Sequence, residues 1–201
     1  MGAQSSGDPT ANWLWLVDLP EAGSALEVGG PDGPLVPALS RHFATVRRFD
    51  VTSTPSGGNA LPFPDGSFDC VAVTGAPAGP VLPLLAACRR VLRSDGWVYL
   101  TVENALWAGH RRGKTPAVRP RVQGPASLRR VVARAGFRDV RTYYLNPPVI
   151  PRFAIPTNSR AVASYETHLN ILTDRSPLRS LIARLGLHAF LYANIAALAR
   201  R

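Results

Sequence analysis

Residues 24 to 43, SALEVGGPDGPLVPALSRHF, run from an apolar stretch that ends in an acid, through a glycine-rich turn, into an apolar-periodic segment that begins after a proline. A phosphate- or nucleoside-binding strand-to-helix turn is built this way, because glycine lets the backbone and its N–H groups come close to a ligand. Glu27, Gly29, Gly30 and Gly33 are the residues that would form such a cradle. Pro31 stands among them, and proline has no N–H, fixes φ and adds a ring where the backbone should approach the ligand. Asp50 follows Gly33 by seventeen residues, about one helix and one strand, and closes the stretch VRRFD. Its carboxylate has two oxygens that can accept hydroxyl protons.

Other constellations carry less. GHRRGKT (109 to 115) has the lysine and threonine of a phosphate loop, but Ala108 stands where its first glycine belongs, and Pro116 and Pro120 follow where a helix should start. A dinucleotide fingerprint would need glycines at Pro31 and Pro34. His42, His110, His168 and His188 show no metal-ligand spacing with each other or with Cys70 and Cys88. Two cysteines, placed on a strand and a helix, do not suggest a disulfide framework, and a reducing, cytoplasmic interior is the expectation.

The elements that must position these residues alternate. Residues 1 to 10 are small and polar and are expected to be disordered, and NWLWLVDL (12 to 19) is a short apolar element ended by Pro20. SALEV is a strand, and Asp32 is placed to cap a helix with Gly33 and Pro34 in its first turn and Leu35, Val36, Leu39 and Phe43 on its buried face. Strands are expected at 44–51, 68–76, 97–104 and 138–145, with helices at 81–96, through Leu82, Leu85, Cys88, Val91 and Leu92, and at 125–137. Alternation of this kind predicts a doubly wound, mostly parallel α/β sheet with helices on both faces, in one domain over residues 11 to 201. Beyond 146 the pattern breaks. NPPVIPRFAIPTNSR contains four prolines, which argue against a regular core element and for a covering segment over about 146 to 180, with helical turns near 160 to 190 and a strand around NIAALAR.

In order, ALEVGGPDGPLVPAL, RRFDV, LPFPDGSFDCVAV, ACRRVLRSDGWVYLTVEN and RRVVARAGFRDVRTYYL resemble the motifs of class I S-adenosylmethionine-dependent methyltransferases of the type 11 kind, over roughly residues 24 to 145. The most specific of them is LPFPDGSFDCV. The resemblance implies a Rossmann-like three-layer fold and S-adenosylmethionine as cofactor, with the glycine turn against its amino-acid part and Asp50 on both ribose hydroxyls. The family turn reads acid-x-Gly-x-Gly-x-Gly, from which Pro31 departs. The family also has a helix and a strand between Asp50 and LPFPDG, ending in an acid at the adenine, where this chain has only VTSTPSGGNA and Asn59 as the nearest polar residue.

Methyl transfer is an in-line displacement governed by alignment, with a general base needed only for a reluctant hydroxyl or amine. The residues expected nearest the chemistry are those at the carboxyl ends of strands: Thr74, which would also face the cofactor, Glu103, Asn104 and Tyr144. His110, in the loop that follows Asn104, is a candidate base. Trp13, Trp15 and Phe153 are candidates for a lid over an apolar acceptor. The alternative is a methyltransferase-like protein without catalysis that serves as a binding or scaffolding partner, motivated by Pro31 and the shortened segment.

The net charge of +10 comes almost wholly from arginine, Lys114 being the single lysine. Together with abundant Ala, Gly and Pro, this reads as coding bias. The arginines of 109–123 and 127–141 could still draw an anionic small-molecule acceptor. No aromatic-interleaved basic stripe supports a nucleic-acid partner. Arg184 and His188 interrupt the apolar run of residues 180–201 and argue against a membrane span, and no secretory signal is visible. Gly2 and Ser6 fit a myristoylation pattern too short to carry weight.

Overall fold

The computed structural model describes residues 13–14, 16–20, 22–30, 33–51, 60–74, 81–107, 124–146, 153–158, 160–166, 181–182, 185 and 187–201. Its strands are β1 (Ser24–Gly29), β2 (Thr45–Asp50), β3 (Phe68–Val73), β4 (Leu92–Glu103), β5 (Arg138–Asn146), β6 (Phe153–Pro156) and β7 (Asn194–Arg200). Its helices include α1 (Val36–Leu39), α2 (Val81–Val91) and α3 (Pro125–Arg134), and residues 160–166 are also helical. They form a seven-stranded open sheet in the order β2-β1-β3-β4-β7-β5-β6. Strands β1 to β4 pair in parallel, and β7 enters antiparallel between β4 and β5, which leaves β5 running with the first four.

Side chains alternate across the sheet and build two cores. Leu26, Val28, Val71, Val98 and Leu100 face α2 and α3 with Leu84, Leu85, Leu128 and Val132. Ala25, Cys70, Ala72, Tyr99 and Leu198 face the other way and pack under Leu35, Leu39, Phe43 and Trp13. The two cysteines are free and fully buried in different cores, with burial pushing the Cys88 thiol up to about 12.

The two most family-like stretches of the sequence are clamped together. Gly66 and Ser67 donate backbone N–H groups to the carbonyls of Arg90 and Val91 at the end of α2, at 3.1 and 2.8 Å. Arg90 in turn donates to the carbonyl oxygens of Phe63 and Leu61 at 2.9 and 2.7 Å and pairs with Asp65 at 2.5 Å. Gly66 holds φ +62°, a left-handed turn that suits glycine.

Several expected boundaries move. α1 is one turn with Leu35 as its N-cap, so Gly33 and Pro34 precede the helix, and the proposed cap, Asp32, lies outside the described residues. Val36, expected on its buried face, is only partly buried. Helix α2 ends at Val91, and its buried face is Val81, Leu84, Leu85, Cys88 and Val91, with Leu82 40% exposed. Residues 92–96, expected as helix end and stop, instead form the start of β4 and its bulge against β3, where the register jumps from Phe68↔Leu92 to Cys70↔Trp97. The proline-rich segment contributes a strand, against expectation, because β6 lies at the sheet edge, pairing among the described residues only with β5, where Pro156 needs no second ladder partner. The expected strand at NIAALAR is β7. No helix among the described residues is long and apolar enough to cross a membrane.

Candidate functional site

The carboxyl ends of β1, β2 and β3 lie side by side, with Gly29 in register with Asp50 and Val28 with both Phe49 and Val73. Thr74 follows directly and donates its N–H to the Val28 carbonyl at 2.9 Å. Gly29 is held so close to it that a β carbon there would lie 2.9 Å from the Thr74 carbonyl oxygen. By contrast, a β carbon on Gly30 would meet nothing within 4 Å, so open space begins one residue beyond β1. Gly33 sits at φ +49°, with the aliphatic stem of Arg48 laid across it.

Glu27 lies beneath this turn and is fully buried. Its Oε1 accepts the Leu35 N–H at 3.1 Å and the Thr74 hydroxyl at 3.2 Å, which ties the entry of α1 to the end of β3. Among the described residues Oε2 has no hydrogen-bond partner. Burial raises the carboxyl above its ordinary value, against the lowering pull of the Leu35 N–H, the Thr74 hydroxyl, the Val36 N–H and the Arg48 charge. The sequence-expected cofactor residues Glu27, Gly29, Gly30, Gly33, Asp50 and Thr74 therefore converge on one end of three adjacent strands. Asn59 lies outside the described residues, as do Pro31, His110 and Trp15.

The other candidates divide. Glu103, at the end of β4, is exposed. Asn104 is fully buried, and its amide donates to the carbonyls of Ala189 and Tyr192 at 2.6 and 2.8 Å while its Oδ1 accepts the Leu106 N–H at 3.1 Å. The side chain thus fastens the chain before β7 onto the end of β4. Tyr144 is 1% exposed and stacks on Tyr192 with ring centroids 4.8 Å apart, and burial raises its phenol. Trp13, expected as a lid, is a core residue stacked on Tyr99 at 4.3 Å, because a ring on the sheet face removes more apolar surface from water than one over an open site. The side chain of Phe153 is outside the described set.

Around Asn104 and Tyr144 the structure gathers three residues to which the sequence reading gave no role at the site. Tyr192 donates its hydroxyl to Glu166 Oε1 at 2.6 Å, both side chains being buried. His188, in the 3₁₀ turn His188–Phe190, packs its ring edge against Tyr144 with centroids 5.4 Å apart. Glu166 lies 26 residues before Tyr192, in the part of the chain without strand and helix alternation, so no local pattern marks the group.

No protein-family model matches the sequence, and no curated protein matches it. Solved structures do. A S-adenosylmethionine-dependent methyltransferase from Archaeoglobus fulgidus is similar at TM-score 0.59 and 14% identity, over 96% of this chain and 92% of that one. A Thermotoga maritima S-adenosylmethionine-dependent methyltransferase, described as a possible histamine N-methyltransferase, is similar at TM-score 0.56 and 13% identity, over 96% and 87%. A phosphoethanolamine N-methyltransferase from Haemonchus contortus in complex with S-adenosylmethionine is similar at TM-score 0.58 and 11% identity, over 96% of this chain and 52% of that one. The chain therefore has the Rossmann-like fold of the class I S-adenosylmethionine-dependent methyltransferases.

Proposed function

We propose that the protein binds S-adenosylmethionine at the carboxyl ends of β1, β2 and β3 and transfers its methyl group to a small-molecule acceptor. The observation that carries this reading is the pairing of Gly29 with Asp50 on neighbouring strands, with Thr74 against the same glycine. Ligands of open α/β sheets bind at that end of the strands.

The residues fit the cofactor on their own geometry. Gly30 opens onto free space where the backbone must approach a ligand, and among the described residues Glu27 keeps one buried carboxyl oxygen without a partner beneath the turn. Asp50 would take the ribose hydroxyls, and Gly29, Gly30 and Thr74 would line the amino-acid end. When bound, the cofactor supplies a methyl group on a sulfonium, whose neutral thioether is a good leaving group. The chain's task is to align the acceptor, exclude water and accept a proton where the acceptor carries one. The neighbours named as a possible histamine N-methyltransferase and a phosphoethanolamine N-methyltransferase favour a small amine acceptor, and the arginine-rich second half of the chain suits one that also carries an anionic group.

Titration calorimetry with S-adenosylmethionine and S-adenosylhomocysteine tests the reading. Binding of both is expected. Failure to detect either at millimolar ligand would overturn it and leave a methyltransferase-like binding or scaffolding protein.

A further inference from the structure

Arg48 is exposed, yet its side chain lies along the protein rather than out in water. A β carbon at Gly33 would lie 2.7 Å from the Arg48 Cδ, 3.3 Å from its Nε and 3.4 Å from its Nη1. Stem and guanidinium therefore run beside the backbone of the glycine turn, in the space that a side chain at position 33 would fill. Glycine serves two needs there, the left-handed φ of +49° and the room for the arginine.

The donors of this guanidinium are not spent on the fold. Arg90, Arg93 and Arg200 each pair with an aspartate, and Arg89, Arg138 and Arg141 each donate to a backbone carbonyl. Among the described residues no hydrogen bond or ion pair engages the guanidinium of Arg48. The acid opposite it on β1 is Glu27, which attracts its charge from below. Glu27 is fully buried, however, and its Oε1 already accepts from Leu35 and Thr74.

A guanidinium is a planar fork of N–H groups that fits a carboxylate through paired, parallel hydrogen bonds. Arg48 and Asp50 occupy alternate positions of β2, so their side chains share a face of the sheet, about 7 Å apart along the strand. A ligand with its ribose on Asp50 and its other end on the glycine turn thus runs past Arg48. Pro31 takes an N–H away from that turn, and Arg48 brings donors to it from the neighbouring strand.

We propose that Arg48 determines specificity at the amino-acid end of the cofactor, its guanidinium taking the carboxylate of S-adenosylmethionine where Pro31 cannot offer a backbone donor. This rests on the methyltransferase reading above. The site then selects a nucleoside that carries a carboxylate beside the glycine turn and discriminates against one that does not.

The test is titration calorimetry on the full chain with two ligands that differ in a single group, S-adenosylmethionine and its decarboxylated form. The wild type should bind S-adenosylmethionine about tenfold more tightly, the margin of a hydrogen bond to a charged partner. Arg48→Gln should lose about that factor for S-adenosylmethionine and nothing for the decarboxylated ligand, with a melting temperature near that of the wild type. Arg48→Lys keeps the charge without the fork and should retain part of the preference. Equal affinity of the wild type for the two ligands, or unchanged S-adenosylmethionine affinity in Arg48→Gln, would overturn the proposal. So would a loss in Arg48→Gln that is the same for both ligands, which is what a role confined to packing the turn predicts. A wild type that binds neither ligand would instead sink the cofactor reading on which the proposal rests.

Discussion

Thr74 sits against Gly29 so closely that a β carbon at position 29 would lie 2.9 Å from the Thr74 carbonyl oxygen, and nearer still to its hydroxyl. The end of β1 and the end of β3 thus meet without room for a side chain, and the same contact brings Thr74 within reach of Glu27. Gly29→Ala should cost about 1–3 kcal/mol through overpacking. Urea denaturation would read that loss. Adding Thr74→Ser to the variant should recover little of it, since the carbonyl oxygen stays in place.

Asp50 ends β2 beside this contact and is only partly buried. Asp50→Ala should lower the affinity for S-adenosylhomocysteine at least tenfold by calorimetry, with a change in denaturation midpoint smaller than that of Gly29→Ala. Unchanged affinity would remove Asp50 from the binding site.

The Glu27 carboxyl gives a pH signature. The unfolded chain ionises it at the ordinary value of 4.5, while burial holds the folded carboxyl protonated to higher pH. Over that window the folded state binds more protons, so the contribution of Glu27 to stability is full below 4.5 and falls as pH rises through its folded value. Glu27→Gln keeps the oxygen that accepts from Leu35 and Thr74 and removes the ionisation. Stability measured as a function of pH should show the variant gaining on the wild type as pH rises above 4.5, with the difference levelling off once both states are ionised.

Arg90 joins the turn around Gly66 to the end of α2 through Leu61, Phe63 and Asp65. It is about two-fifths exposed, which weakens the charge pair with Asp65, so the backbone hydrogen bonds dominate. Arg90→Ala should cost about 1–2 kcal/mol. Arg90→Lys should recover only part of it, because one ammonium cannot reproduce the forked geometry of a guanidinium. Equal stability of the lysine variant and the wild type would contradict this account.

Much of the parallel half could be read from residue order. Nearly all-apolar runs such as FDCVAV, broken only by Asp69, mark strands covered on both faces, and the turn residues around Gly66 and Gly29 mark where strands begin and end. The Arg90 clamp ties LPFPDGS to the helix ending RRV, a contact between two stretches that the sequence shows only as separate motifs. The second half resisted for physical reasons. Prolines argue against a strand interior but not against a strand edge, which hid β6. Trp13 looked like a lid because an aromatic residue near an end of the chain is equally suited to a core, and only packing on Tyr99 decides between them. His188 is placed by Thr157, thirty-one residues earlier, and by Tyr144, contacts that no periodicity encodes.

The antiparallel placement of β7 bears on how the protein is made. On the ribosome, β4 emerges long before β7, and β5 and β6 emerge in between, yet these two can join the sheet only through β7. Until residues 194–200 arrive, the edge of β4 and the β5–β6 pair lack the strand that joins them in the folded sheet. Such late, long-range closure is slow, and the waiting edges are exposed to mispairing. Synthesis of this chain thus has a vulnerable interval set by strand order rather than by sequence composition.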